Sequence, residues 1–234
     1  MKQKISYIIN SILIASFIFI VQLYIDKTNL FKLKKINISG NNFLNEDKIK
    51  NILEEYKNTT LINLEIKKIE QSLNNHSYIR ASKIYKILPN IISVEVKEIT
   101  PIALFEDNKT YYFLDQKGNN IKANIDAINY FSVPIISNNS SDIKNTLVDI
   151  LNVIKSKDIK FYNIINEIKV QNEMIFLEID KGTKIKINKS SSCNDIYKLL
   201  SFLKTIKNNK DITDYKYVDL TIPKQIIVKE NKKI

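Results

Sequence analysis

Residues 78–103 read YIRASKIYKILPNIISVEVKEITPIA, and this stretch decides the fold. In its second half Ile92, Val94 and Val96 alternate with Ser93, Glu95 and Lys97, the period of a strand with one buried face. Leu88-Pro89-Asn90 supplies turn chemistry ahead of that strand, and residues 79–87 read as the strand before it. Upstream, Ile36 and Ile38 alternate with Lys35 and Asn37, and Gly40-Asn41-Asn42 ends a further strand. Asn45 is placed to cap a helix whose first turn carries Glu46 and Asp47, favourable at the positive end of the helix dipole. Ile49, Ile52, Leu53 and Tyr56 form its apolar face, and Asn63 is expected to open a second helix bearing Ile66, Ile69 and Leu73. Strand, helix, helix, strand, strand describes a compact α+β unit with two helices over a three-stranded sheet.

Downstream of Pro101 the character changes. Tyr111 to Leu114, the turn Asp115-Gln116-Lys117-Gly118, and Ile121 read as a hairpin. Asp142 is expected to cap a helix carrying Ile143, Leu147, Ile150, Leu151 and Ile154. A meander over 168–170, 175–179 and 185–187 follows, with turns at Asn172-Glu173 and Asp180-Lys181-Gly182. A second amphipathic helix carries Ile196, Leu199, Leu200, Leu203 and Ile206, and two last strands, 215–220 and 225–229, flank Pro223-Lys224. This second unit is β-rich with two amphipathic helices, so the chain as a whole is α+β.

At the other end, residues 5–25 hold 21 positions without a charge, bounded by Lys4 and Asp26. As a helix they extend about 30 Å, enough for a hydrocarbon core. A signal peptide would place small residues after a shorter apolar region, whereas Gln22-Leu23-Tyr24-Ile25-Asp26 follows here, so a retained transmembrane helix is expected. Lys2 and Lys4 on one side oppose Lys27, Lys32, Lys34 and Lys35 on the other, and charge leaves the orientation open. The expected organisation is a tail at 1–4, a transmembrane helix at 5–25, a small α+β domain at 26–100, a β-rich domain at 101–230 and a tail at 231–234.

The formal net charge of +11 does not make a nucleic-acid reader. Arg80 is the lone arginine, the lysines are scattered, and base recognition leans on the bidentate arginine fork. Lys, Ile and Asn are abundant together while Gly and Trp are scarce, a composition expected of an AT-rich genome. Cys193 is alone, which leaves neither a disulfide within the chain nor a cysteine zinc site, and His76 is alone in a polar run. Three glycines build no phosphate loop, and no metal-ligand cluster stands out. Glu98 and Asp115 read as junction and turn residues. The expectation is no catalytic residue, no metal and no cofactor.

The order of these parts resembles the FtsQ/DivIB family of bacterial cell division proteins. Phe31-Lys32-Leu33-Lys34-Lys35-Ile36-Asn37-Ile38-Ser39-Gly40-Asn41 resembles the family's opening strand and Gly-Asn. Residues 78–90 are similar to its strand and turn, and Glu98-Ile99-Thr100-Pro101-Ile102-Ala103 to its Glu-x-x-Pro-x-Ala junction. Leu114-Asp115 with Gly118, Val133-Pro134 and Tyr217-Val218-Asp219-Leu220 follow in the family's order. Two positions depart from it: Thr221 stands where the family often has Arg, and Ile187-Asn188 where it tends to have Leu-Gly.

The resemblance implies a POTRA domain, an FtsQ-type β domain, and a single membrane span with a cytoplasmic N-terminus and an extracytoplasmic bulk at the division septum. It implies a non-enzymatic scaffold that binds FtsB/DivIC-like and FtsL-like proteins, with the POTRA-like unit as a second docking surface for division proteins. The terminal strand 225–229 is short and β-prone, and an edge strand can take up a strand of another chain. Thr221, Ile222, Gln225, Ile226, Ile227, Val228 and Lys229 are the expected partner-binding residues. The rival reading is another membrane-tethered POTRA protein assisting polypeptide transport.

Overall fold

The computed structural model describes residues 2–137 and 143–231, without the side chains of residues 2–6, 8 and 25–28. The chain divides into two compact units, Met1–Glu98 and Ile99–Ile234.

The first unit opens with helix α1 (Lys2–Thr28) of 27 residues, about 40 Å at the rise of an α-helix. Its described side chains are exposed on every side, Ile12, Phe17, Ile18, Phe19 and Ile20 among them. The expected membrane span is met as a helix, not as a span: among the described residues no helix is long and apolar enough to cross a membrane.

Beyond α1 come β1 (Lys35–Ser39), α2 (Glu46–Ile52), α3 (Ile66–Asn74), β2 (Ile79–Ile87) and β3 (Ile91–Glu98). The sheet order is β1-β3-β2, with β1 parallel and β2 antiparallel to β3. The alternation in β3 is realised, since Ile92, Val94 and Val96 are buried, as are Ile49 of α2, Leu53 just after it, and Ile69 and Leu73 of α3. Asn45 caps α2 as expected, its side-chain oxygen accepting the Lys48 N–H at 2.9 Å.

The second helix begins at Ile66, not at Asn63. Residues 60–63 are held in a turn by the Asn63 N–H donating to Thr60 O, while the Leu61 N–H donates to Phe31 O. Leu61 and Leu64 fill the core from that non-helical stretch.

The second unit is built on one nine-stranded sheet of order β12-β11-β10-β9-β8-β7-β4-β5-β6. Its elements are β4 (Pro101–Asp107), β5 (Thr110–Asp115), β6 (Asn120–Lys122), α4 (Ile125–Tyr130), β7 (Ile135–Ser137), α5 (Lys144–Lys157), α6 (Ile159–Asn163), β8 (Ile165–Gln171), β9 (Met174–Ile179), β10 (Lys184–Asn188), α7 (Ser192–Ile206), β11 (Tyr215–Asp219) and β12 (Ile227–Glu230). The pairs β4–β7, β7–β8 and β10–β11 are parallel.

Helices α5 and α7 supply one side of the core, with Leu147, Ile150, Leu151, Ile154, Ile196 and Leu199 fully buried against Ile168, Ile175, Leu177, Ile185 and Val218. Asp142, expected to cap α5, lies outside the described residues.

Strand β4 has no counterpart in the alternation pattern. Ile102, Ala103, Leu104 and Phe105 are all buried, so both faces are covered and the period-2 signal is absent. Phe113 of β5 meets Phe131 edge to face at 5.5 Å.

A candidate strand-docking edge

Strand β12 closes the sheet at one margin and pairs only with β11 among the described residues. The ladder is antiparallel, setting Asp219 opposite Ile227, Val218 opposite Val228 and Tyr217 opposite Lys229, with a bulge between Tyr215 and Tyr217. In such a ladder alternate residues turn their N–H and C=O groups outward, so β12 presents backbone donors and acceptors on its far side. All four of its residues are exposed. Among the described residues the opposite margin, β6, is only three residues long.

The structure divides the seven expected partner-binding residues into two groups. Ile227, Val228 and Lys229 lie in the marginal strand itself. Thr221, Ile222, Gln225 and Ile226 form the connection that leads into it, and Ile226 is half-buried against the core. Thr221 is bonded back to the end of β11, its hydroxyl donating to Asp219 Oδ1 at 2.6 Å and its N–H to the same oxygen at 2.9 Å. Burial pushes the Asp219 carboxyl up, but the Thr221 hydroxyl and N–H, with the Lys186 ammonium, outweigh it and hold the group below its ordinary range.

Three neighbours of the edge were not legible in the sequence. Lys198 of α7 donates to the carbonyls of Leu220, Ile222 and Gln225. At the far end of β12, Glu230 pairs with Lys210, and that bond raises the lysine's pKa. The Asn231 N–H then donates to Asp214 O at 2.9 Å. These contacts join residues 17 to 27 positions apart, and no local pattern signals them. A groove of about 280 Å³ lies between the start of α7 and the connection, lined by Asp195 and Lys198 on one side and Thr221, Pro223 and Lys224 on the other.

The residues that invite a catalytic reading are engaged elsewhere. Both oxygens of Glu98 accept backbone N–H groups, from Phe43 at 2.9 Å and Leu44 at 2.8 Å, tying the end of β3 to the loop before α2. Asp115 holds its own turn through the N–H groups of Lys117 and Asn119. His76 accepts the Tyr78 N–H at 3.3 Å, and burial, assisted by the Lys48 charge, lowers its pKa. Among the described residues no three His, Cys, Asp or Glu side chains cluster as metal ligands.

A helix-covered β-α-α-β-β unit followed by a β domain with an open terminal margin defines a two-unit POTRA-type protein. Residues 31–98 match the family model "POTRA domain, FtsQ-type", and residues 100–228 match "FtsQ/DivIB, C-terminal related". The chain belongs to the FtsQ/DivIB family.

Among curated relatives, it is 24% identical over 207 residues to the cell division protein DivIB of Clostridium acetobutylicum, covering 83% of this chain and 81% of that protein. It is 28% identical over 96 residues to the cell division protein FtsQ of Rickettsia bellii, covering 41% of this chain and 36% of that one. The chain thus matches about a third of the length of the Rickettsia relatives. A solved structure of the major extracytoplasmic domain of DivIB from Geobacillus stearothermophilus aligns with 49% of this chain and 99% of its own, at 10% identity and a TM-score of 0.34.

Proposed function

We propose that this chain is a non-enzymatic, membrane-anchored scaffold of the cell division machinery, which takes up an extended segment of an FtsB/DivIC-like protein, itself paired with an FtsL-like protein. The carrying observation is the open margin of β12, which pairs on one side only among the described residues. An incoming strand gains main-chain hydrogen bonds along that margin, and Ile227 and Val228 offer it apolar cover on the two faces of the sheet. No bond is made or broken; the work is recruitment, linking early and late division proteins during septum formation.

The anchor in this reading is α1. Support comes from the uncharged run 5–25, whose described side chains are exposed where a soluble unit would bury them. The N-terminus is cytoplasmic, the two units are extracytoplasmic, and the POTRA-type unit offers other division proteins a second surface. Release of the full chain from membranes by alkaline carbonate would remove the anchor from this account.

Photocrosslinking in living cells from positions 221, 222 and 225–229, with identification of what is caught, tests the docking edge. The expected adduct is an FtsB/DivIC-like protein, strongest from 227–229, at a mid-cell band. Adducts confined to the chain itself at those positions would reject strand capture.

A further inference from the structure

Past Thr221, the connection between β11 and β12 is short of bonds of its own. Pro223 has no N–H, Lys224 is left-handed with φ +60°, and the Gln225 N–H donates to Ile222 O at a long 3.3 Å. Yet three of its carbonyl oxygens turn towards one point. Lys198 Nζ stands there, 2.5 Å from Leu220 O, 3.0 Å from Ile222 O and 3.4 Å from Gln225 O.

Lys198 is itself held. One carboxylate oxygen of Asp195, a turn earlier on α7, lies 3.3 Å from the ammonium. The other oxygen accepts from the Ser191 hydroxyl at 2.9 Å and from the Asn188 N–H at the end of β10 at 3.2 Å. The Asp195 side chain is only 6% exposed and that of Lys198 21%, so the charges meet away from bulk water. An ammonium has three protons and here faces four acceptors, so every donor is engaged. Without the cation, three carbonyl dipoles would converge with nothing between them.

We infer that Lys198 is the positioning residue of the docking edge, fixing the backbone of 220–225 so that β12 starts in register at Ile227. This rests on the reading of β12 as the edge that takes a partner. A strand of four residues is too short to hold its own register, and a slip of one residue would carry Ile226 and Val228 to the opposite face. The far end of β12 has its own ties, through Lys210 with Glu230 and Asn231 with Asp214. At the near end the Leu220 N–H donates to Lys186 O at 2.9 Å and Thr221 is bonded to Asp219, and beyond Thr221 the backbone is held by Lys198.

The test compares full-length wild type, Lys198→Met and Lys198→Arg by hydrogen exchange and by capture of the FtsB/DivIC-like partner. Lys198→Met keeps an unbranched stem and loses the cation; Lys198→Arg keeps the charge and donors. In Lys198→Met, exchange at 225–230 is expected to rise roughly tenfold or more and capture to fall by a like factor, with β8–β10 unchanged. Lys198→Arg should retain most of both.

Unchanged exchange at 225–230 in Lys198→Met would overturn the positioning role, as would loosened amides with wild-type capture. Should the wild type capture nothing, the docking reading fails, while the exchange data still decide whether Lys198 holds the connection. If Lys198→Met loosens β8–β10 as well, Lys198→Gln is read in the same two assays. A uniform rise across the unit in both variants would make Lys198 a core residue and overturn the proposal.

Discussion

Val228 lies directly opposite Val218 in the β11–β12 ladder, yet Val218 is fully buried while Val228 is 37% exposed. Cross-strand partners share a face of the sheet, so the apolar surface under α7 runs outward past its cover and ends at Val228. Val218→Ala should cost about 2 kcal/mol of stability through lost burial and a cavity. Val228→Lys should change stability by less than about 1 kcal/mol, because its side chain reaches water, but should weaken partner capture about tenfold or more. Calorimetric unfolding and co-purification separate the two. Equal destabilisation by both substitutions would make Val228 a core residue with no docking role.

Backbone direction along β12 gives a second prediction. Neighbouring residues of an antiparallel strand turn their N–H groups to opposite sides, so one of Ile227 and Val228 donates towards β11 and the other outward. The Asn231 N–H donates to Asp214 O on the β11 side, which by alternation turns Ile227 inward and Val228 outward. Val228→Pro is therefore expected to abolish capture while leaving β11–β12 exchange protection, and Ile227→Pro to loosen the β11–β12 ladder itself. Loss of the ladder in both variants would contradict this alternation.

What the sequence revealed depended on which signals are local. The alternation of Ile92, Val94 and Val96 is local and survives intact in β3, as does the Asn45 cap. Residues 102–105 gave no strand signal because both faces of β4 are covered, and burial on two sides erases alternation. Asn63 resembles a helix cap in isolation, but its N–H is committed to Thr60 O while buried Leu61 and Leu64 flank it, which delays α3 to Ile66. The marginal strand could be read from β-propensity and position. Lys198 could not: on the periodic pattern of α7 it is one more lysine, and its three carbonyl partners lie 22 to 27 residues away.

Gly40 and Gly182 make a matched pair for a third prediction. Both have positive φ, +81° and +77°. A Cβ on Gly40 would stand 2.1 Å from Val96 O, whereas nothing lies within 4 Å of one on Gly182. Gly182→Ala should therefore cost the backbone strain alone, about 1 kcal/mol. Gly40→Ala adds a clash with the backbone of β3 and should cost about 3 kcal/mol or more. Hydrogen exchange resolved by unit reads each: Gly40→Ala should raise exchange across 35–98 while leaving β8–β10 as in wild type. Comparable effects of the two would mean that the approach to Val96 is readily relieved.

Acid sensitivity of the β11 region gives the last prediction. The Asp211 carboxyl is held below its ordinary range by the Thr213 N–H, then by the Thr213 hydroxyl, against a smaller effect of burial. Asp219 is lowered too, the Thr221 bonds and Lys186 overcoming the upward push of burial. A carboxylate whose pKa is lower folded than unfolded contributes stability that is complete above the unfolded value, near 3.9, and is lost as pH falls through the folded value. Stability of the second unit should therefore hold from neutral pH down to about 4 and decline below it, and Asp219→Asn should make that decline shallower. Thr221→Ala removes a hydroxyl bond of 2.6 Å, should cost about 1 kcal/mol at pH 7, and should return Asp219 towards its ordinary range. Denaturant unfolding of the three proteins at pH 7 and pH 3 checks both signs. If wild type and Asp219→Asn lose the same stability between those pH values, Asp219 does not couple the connection to acid, and Thr221 serves the turn alone.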